Sequence, residues 1–348
     1  IGPSRILIDG EIIVDNWTSQ DPGETFFAMG SAPRRGNFKF NEGSTYKLEV
    51  EYKWEGRFPA VQIGMKAPDQ HDLMQEAIDM AREADAVVLI VGTNSDWETE
   101  GNDRSSLQLP ANQDELVTKI CEINKNSVVV LNTGAPCEMP WVDQSKAILQ
   151  CWFPGQEFGN SLADVLFGDV NPSGKLPTTF PKKLADTPAF STYPGKDLQM
   201  DYEEGLFIGY RWYDRENIEP LFPFGHGLSY TTFDYTNLRA IPPKGESSVA
   251  AFEIEISNTG NIFGKEVVQG YVKLKESAVE RPIKELKKFE KVSLEAGEST
   301  KVIFELSERD LSYWSVENKC WQVEPAEYIF EAGSSAADIK ESVSVWLG

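Results

Sequence analysis

The chain has 348 residues, of which 41% are hydrophobic and 25% charged. That is long for one ordinary domain and implies two or three, with apolar content enough to exclude global disorder. Asp plus Glu number 55 against 33 Lys plus Arg, a formal charge of −22. Such acidity disfavours nucleic acid and anionic membranes as partners, and a neutral partner such as a sugar fits better.

No apolar run approaches the roughly 20 residues of a membrane span. The longest, Ala86-Val87-Val88-Leu89-Ile90-Val91, has strand length. Ile1-Gly2-Pro3 shows no initiator Met and no signal-peptide features. The chain is therefore expected to start mid-sequence, through processing or at a break in a longer polypeptide. Cys121, Cys137, Cys151 and Cys320 lack metal-type spacing and read as small core residues, with at most one disulfide. One glycosylation sequon, Asn16-Trp17-Thr18, is weak support for secretion. A secreted or extracellular location is the expectation, with a cytoplasmic one as the alternative.

Residues 1–68 read as strands. Arg5 to Asp9 and Glu11 to Val14 flank Asp9-Gly10, a hairpin signal, and Tyr46 to Trp54 alternates apolar with charged residues. This is part of a β-sandwich. From residue 69 the pattern changes. Leu73, Ala77, Met80, Ala81 and Ala84 recur at helical spacing, then the strand Ala86 to Val91 follows. A helix over Asn112 to Asn124, strands over Ser127 to Asn132 and Ala147 to Trp152, and a helix over Gly159 to Phe167 come next. Helices alternating with uniformly apolar strands predict a parallel sheet covered on both faces. Its working loops would leave the C-terminal strand ends, at Gly92 to Pro110, Thr133 to Trp141 and Phe153 to Gly159. Residues 170–232, rich in Pro, Gly and aromatics, are expected to wrap over other surfaces. Beyond Pro242-Pro243-Lys244-Gly245 the β pattern returns, as a small antiparallel sandwich.

The loop after the first parallel strand is the most informative segment. Thr93 to Arg104 holds Asp96, Glu98, Glu100 and Asp103 with Trp97 and Arg104. Neighbouring carboxylates raise each other's pKa and an aromatic wall adds desolvation, which can make a general acid. A Trp beside carboxylates also suits a sugar ring. The plainer reading is a solvated acidic loop. His71 reads as a surface residue at a helix start, and His226, in Pro223-Phe224-Gly225-His226-Gly227, as structural. No zinc pattern, nucleophile elbow or phosphate-binding loop is present.

In chain order these motifs resemble the C-terminal half of glycoside hydrolase family 3, the β-glucosidase and β-xylosidase family. The stretches are Trp97-Glu98-Thr99-Glu100-Gly101-Asn102-Asp103-Arg104, Asn132-Thr133-Gly134-Ala135-Pro136 with Pro140-Trp141, Trp152-Phe153-Pro154-Gly155-Gln156-Glu157, and Gly168-Asp169-Val170-Asn171-Pro172-Ser173-Gly174-Lys175-Leu176-Pro177. Tyr202-Glu203-Glu204-Gly205 and Phe222 to Tyr230 follow, then Asn258-Thr259-Gly260 and Arg281-Pro282-Ile283-Lys284-Glu285-Leu286.

The resemblance implies a multidomain α/β plus all-β fold. Residues 1–68 would be the tail of an inserted lectin-like β-sandwich. Residues 69–233 would form an α/β sandwich with a mainly parallel sheet and a wrapping segment, and 234–348 a fibronectin type III-like β-sandwich. It also implies a retaining hydrolase of terminal β-linked sugars, using two carboxyls about 5 Å apart. The nucleophile Asp would lie on an N-terminal (β/α)8 barrel absent from this chain, so the chain alone is expected to be inactive. Glu100 carries over as the general acid/base, with Glu98 as runner-up. Trp97, Asp103 and Arg104 would bind substrate or brace the loop, Asp103 and Arg104 as an ion pair. Ser95-Asp96-Trp97 spells the family's nucleophile motif but sits in the acid/base loop, and is a coincidence. The implied partners are that barrel and a β-linked oligosaccharide or glycoside. No metal or cofactor is implied, and a homo-oligomer stays open. The competing reading is a non-catalytic carbohydrate-binding or scaffold protein that keeps the family's accessory domains.

Overall fold

The computed structural model describes residues 1–23, 26, 29–54, 58–67, 72–100 and 103–348. His71, Gly101 and Asn102 lie outside the described residues. Contacts within the chain cluster into two units, residues 1–135 with 139–153, and residues 136–138 with 154–348.

The first unit opens with the antiparallel strands β1 (Ser4–Ile8), β2 (Glu11–Asn16) and β3 (Leu48–Tyr52), with β1 in the centre. The expected hairpin is there. Asp9 and Gly10 both take positive φ, 50° and 85°, the backbone of the tight turn whose twist matches two paired strands. Next comes α1 (Leu73–Glu83), started by Asp72, whose carboxylate accepts the Gln75 N–H, and seated by buried Ile78 and Ala81.

Then follow β4 (Val87–Gly92), α2 (Gln113–Ile123), β5 (Ser127–Asn132) and β6 (Ala147–Gln150), the strands parallel in the order β4-β5-β6. Central β5 buries Val129, Val130 and Leu131 in succession, as a strand covered on both faces must. Edge strand β4 departs from that expectation. It buries Leu89 and Val91 but leaves Val88 48% and Ile90 58% exposed. An unbroken apolar run carries no mark of which face is covered, so two-faced burial could not be read from it.

The second unit begins with α3 (Phe158–Phe167), which ends on Gly168 at φ 84°, a left-handed cap that glycine adopts without strain. Residues 170–232 are mostly irregular, as expected. A bridge between Phe180 and Phe222 and the short helix α4 (Tyr210–Glu216) order them, and Phe180 and Tyr213 are buried. His226 stacks on Phe222 at 5.2 Å, and its carbonyl accepts the Leu176 N–H. Burial first, then the nearby Lys175 charge, hold its imidazole below the usual range and therefore neutral.

The remainder is β7 (Phe233–Ile241), β8 (Ser248–Asn258), β9 (Gly264–Leu274), β10 (Glu285–Leu294), β11 (Ser299–Ser307), the single turn α5 (Glu308–Leu311), the hairpin β12 (Tyr313–Ser315) and β13 (Cys320–Gln322), β14 (Ala326–Ser335) and β15 (Asp338–Leu347). Sheets of order β10-β9-β14-β15 and β11-β8-β7 carry one core between them, of Phe252, Ile254, Ile256, Val268, Phe304 and Phe330. Phe252 stacks on Phe330 with centroids 4.1 Å apart. Gly270 makes room for that pair, since a Cβ there would lie 2.8 Å from the Phe330 ring. All four cysteines are free. Cys121 and Cys137 are buried as expected, but Cys320 is exposed on the short hairpin strand β13.

Candidate active site

The C-terminal edge of the parallel sheet is shaped by backbone contact. Gly92 ends β4 so close to β5 that a Cβ would lie 2.2 Å from the Asn132 carbonyl oxygen. Gln113, the first residue of α2, locks this strand end. Its Oε1 accepts the Gly92 N–H at 2.8 Å, and its Nε2 donates to the Gly92 carbonyl at 2.9 Å and to the Pro110 carbonyl at 3.1 Å. Both ends of the intervening loop are thus held by one amide. Asp114 beside it accepts from the Leu109 N–H and from Nε1 of fully buried Trp141. Gln113→Ala leaves the Gly92 groups without their side-chain partner, and is expected to cost about 1–3 kcal/mol of unfolding free energy in urea titrations.

Between these anchors the loop turns on Asn94, whose Oδ1 accepts the N–H groups of Asp96 and Trp97. The turn points Glu98 back into the sheet edge. Its Oε1 accepts the Thr93 hydroxyl and, at 2.9 Å, the Gly134 N–H. Glu98 therefore ties the loop after β4 to the loop after β5. The fit is close, for a Cβ on Gly134 would lie 2.5 Å from Glu98 Oε2 and 2.6 Å from the Phe153 ring.

Glu100 is in another state. Its carboxylate is exposed and makes no hydrogen bond or ion pair among the described residues. Trp97 and Arg104 are half-buried, and Trp97 Nε1 and Arg104 Nη1 are buried donors without hydrogen-bond partners among those residues. Asp96 and Asp103 are exposed. The loop singled out from the sequence does leave the C-terminal end of a parallel strand, β4. Sequence reasoning missed Thr93, Gln113, Asp114 and Gly134 as the groups that shape it. A Gln-Asp pair opening the helix after an acidic loop was the only local signal for two of them.

The second loop starts at buried Thr133, which exchanges hydrogen bonds with the Gln150 amide. The third starts at Trp152, at φ 57°, followed by half-exposed Phe153. Three loops thus converge on one sheet edge, with a free carboxylate, a braced carboxylate and two aromatic rings. Burial pushes the Cys121 and Cys151 thiols up, so neither offers a thiolate there. The chemistry this edge can do is proton transfer by a carboxyl beside an aromatic wall.

The chain thus combines a parallel α/β layer, with an acidic loop at its strand ends, and a seven-stranded antiparallel sandwich. The glycosyl hydrolase family 3 C-terminal domain matches residues 23–230, and a fibronectin type III-like domain matches residues 266–336. The chain belongs to glycosyl hydrolase family 3. A β-glucosidase of Rhizobium radiobacter is 40% identical over 99% of this chain and 44% of its own length. The thermostable β-glucosidase B of Acetivibrio thermocellus is 46% identical over 79% of this chain and 37% of its own. The crystal structure of a Kluyveromyces marxianus β-glucosidase in complex with glucose superposes with a TM-score of 0.90 at 38% identity, over 99% of this chain and 42% of that one. The chain thus spans less than half the length of the relatives it matches.

Proposed function

We propose that this chain is the C-terminal part of a retaining, exo-acting β-glycosidase that removes terminal β-linked sugars, glucose foremost, and that Glu100 is its general acid/base. One observation carries the choice of residue. Glu98 already accepts two hydrogen bonds that hold the loop, whereas Glu100, two residues on, is exposed and unengaged among the described residues. A proton donor must reach the glycosidic oxygen, and a carboxylate committed to a backbone N–H and a hydroxyl is poorly placed to do so. The β-glucosidase names of the relatives support the substrate class.

In this reading Glu100 protonates the departing glycosidic oxygen while an Asp attacks the anomeric carbon from the other face. Glu100 then takes a proton from the water that releases the sugar, with net retention. The Asp belongs to a (β/α)8 barrel outside this chain. The exposed apolar residues Val88 and Ile90 on edge strand β4 fit a layer that further polypeptide covers. Trp97 supplies an aromatic wall, and Asp103 and Arg104 brace the loop or reach the sugar. In chain order, 1–68 would be the tail of a lectin-like insert, 69–233 the α/β domain with its wrapping segment and 234–348 the C-terminal domain.

The test compares p-nitrophenyl β-glucoside turnover by the chain alone and by the chain joined to a barrel-bearing N-terminal portion. Turnover is expected only from the joined protein. Equal turnover by the chain alone would overturn the two-part site. A joined protein that binds glucose without hydrolysis would favour the non-catalytic carbohydrate-binding reading.

A further inference from the structure

The C-terminal sandwich carries a groove of about 960 Å³, within the size range of small-molecule sites and far along the chain from the acidic loop. One wall is a row across three strands. Lys275, just past β9, pairs with Glu327 of β14 at 2.9 Å, and Glu327 lies opposite Trp346 of β15 in the antiparallel register. The other wall is the β12–β13 hairpin, with Tyr313 opposite Gln322 and its hydroxyl donating to Gln322 Oε1 at 3.3 Å. Glu324 and Pro325 join the two walls.

Trp346 is the informative residue. It lines the groove and is 67% exposed. An indole held open to water on a sheet face, inside a groove, leaves a flat apolar surface free to take a ring. Around it stand groups that exchange hydrogen bonds with neutral hydroxyls. The Gln322 oxygen is engaged by Tyr313 and by the Asn318 amide, and its two amide N–H donors have no partner among the described residues. Lys275 and Glu327 offer a donor and an acceptor side by side. Glu324 is different, because it is saturated. Burial raises its pKa, but the Ser277 hydroxyl, the Ala278 N–H and Arg281 outweigh that and hold it below the usual range. An ionised, fully bonded carboxylate does not donate a proton, so Glu324 holds the junction of the two walls in place. Glu276, Glu324 and Glu327 against Lys275 make the lining acidic, which turns away phosphates, sulfated chains and acidic peptides.

We propose that this groove binds a neutral glycan chain, with one pyranose stacked on the Trp346 indole and its hydroxyls on Gln322, Lys275 and Glu327. The ligand class rests on the glycosidase reading of the other unit, while the groove's geometry does not. The groove would hold a longer substrate or its polymer near the enzyme, without touching the reacting bond.

The test uses the 348-residue chain with cellotetraose as probe, followed by isothermal titration and tryptophan fluorescence. Binding is expected from the wild type. Trp346→Ala should weaken it about tenfold, the loss expected for one stacked ring. Trp346→Phe should keep most of the affinity, and Trp314→Ala, exposed on the other side of the hairpin, should leave it unchanged. No cellotetraose signal from the wild type, or the same affinity after Trp346→Ala, overturns the proposal. So does light scattering that shows a wild-type dimer and a Trp346→Ala monomer, which makes the face a contact between copies. Nitrophenyl glucoside turnover of the barrel-joined protein should be indifferent to Trp346→Ala. Intact turnover without cellotetraose binding removes the groove alone, and binding without turnover removes the glycosidase reading alone.

Discussion

Lys175→Met is expected to destabilise the C-terminal unit by about 3–5 kcal/mol, the scale seen when one partner of a buried ion pair is removed. Lys175 and Glu266 are only 11% and 6% exposed, with Nζ 3.0 Å from Oε1. Lys175 also donates to the Gly227 carbonyl at 2.9 Å, and Tyr235 donates its hydroxyl to the same Glu266 oxygen. Burial first, and the Glu266 charge next, push the Tyr235 phenol far above its usual range, so it stays a neutral donor. Removing the lysine leaves a buried carboxylate with one hydroxyl for company and a carbonyl without its donor. The network joins the irregular segment 170–232 to β7 and β9, so its loss should loosen the whole sandwich.

A triple variant decides the cause. Lys175→Met with Glu266→Met and Tyr235→Phe removes every charged or polar side chain of the network, leaving only the Gly227 carbonyl without its donor, and should recover most of the lost stability, because apolar replacement of a buried pair is often close to neutral. Urea unfolding of the single and triple variants measures both. A single variant within about 0.5 kcal/mol of wild type would mean that water reaches the pair and that the burial argument is wrong.

How legible these features are depends on how local they are. The Asp9-Gly10 hairpin and the helix starting at Asn112 are written in adjacent residues, and the fold follows them closely. Strand β10 was not legible. It is a sheet edge, and it carries Lys287, Lys288 and Lys291 where a central strand would alternate apolar and polar. Charged edges are how sheets avoid pairing with other chains, so the usual strand signal is suppressed there. The Lys175 to Glu266 pair spans 91 positions along the sequence, and only the fold brings its members together. The same limit applies in the acidic loop. Composition and position marked the loop, but the bond that separates Glu98 from Glu100 runs to Gly134, 36 residues away.

That bond gives the second large expected effect, measured on the barrel-joined protein. Glu100→Ala should lower kcat for an unactivated disaccharide such as cellobiose by about 10²–10⁴-fold, the usual worth of a positioned acid. A dinitrophenyl glucoside needs no proton for its leaving group to depart, so its first step should survive while release of the sugar from the enzyme slows. Azide is itself an anion and needs no base. It should restore turnover and leave a β-glycosyl azide, the retained product. Glu98→Ala should behave differently. It unties the loop from Gly134 and Thr93, and misplacing the acid by about 1 Å costs up to about 10²-fold. Azide should not repair a misplaced loop. Glu98→Ala should also lose about 1–3 kcal/mol of stability, while Glu100→Ala, which breaks no bond among the described residues, should lose none. Azide rescue with Glu98→Ala and its absence with Glu100→Ala would exchange the two roles. The acid would then be the residue that also holds the sheet edge together, and its stabilising bonds would have to break in every catalytic cycle.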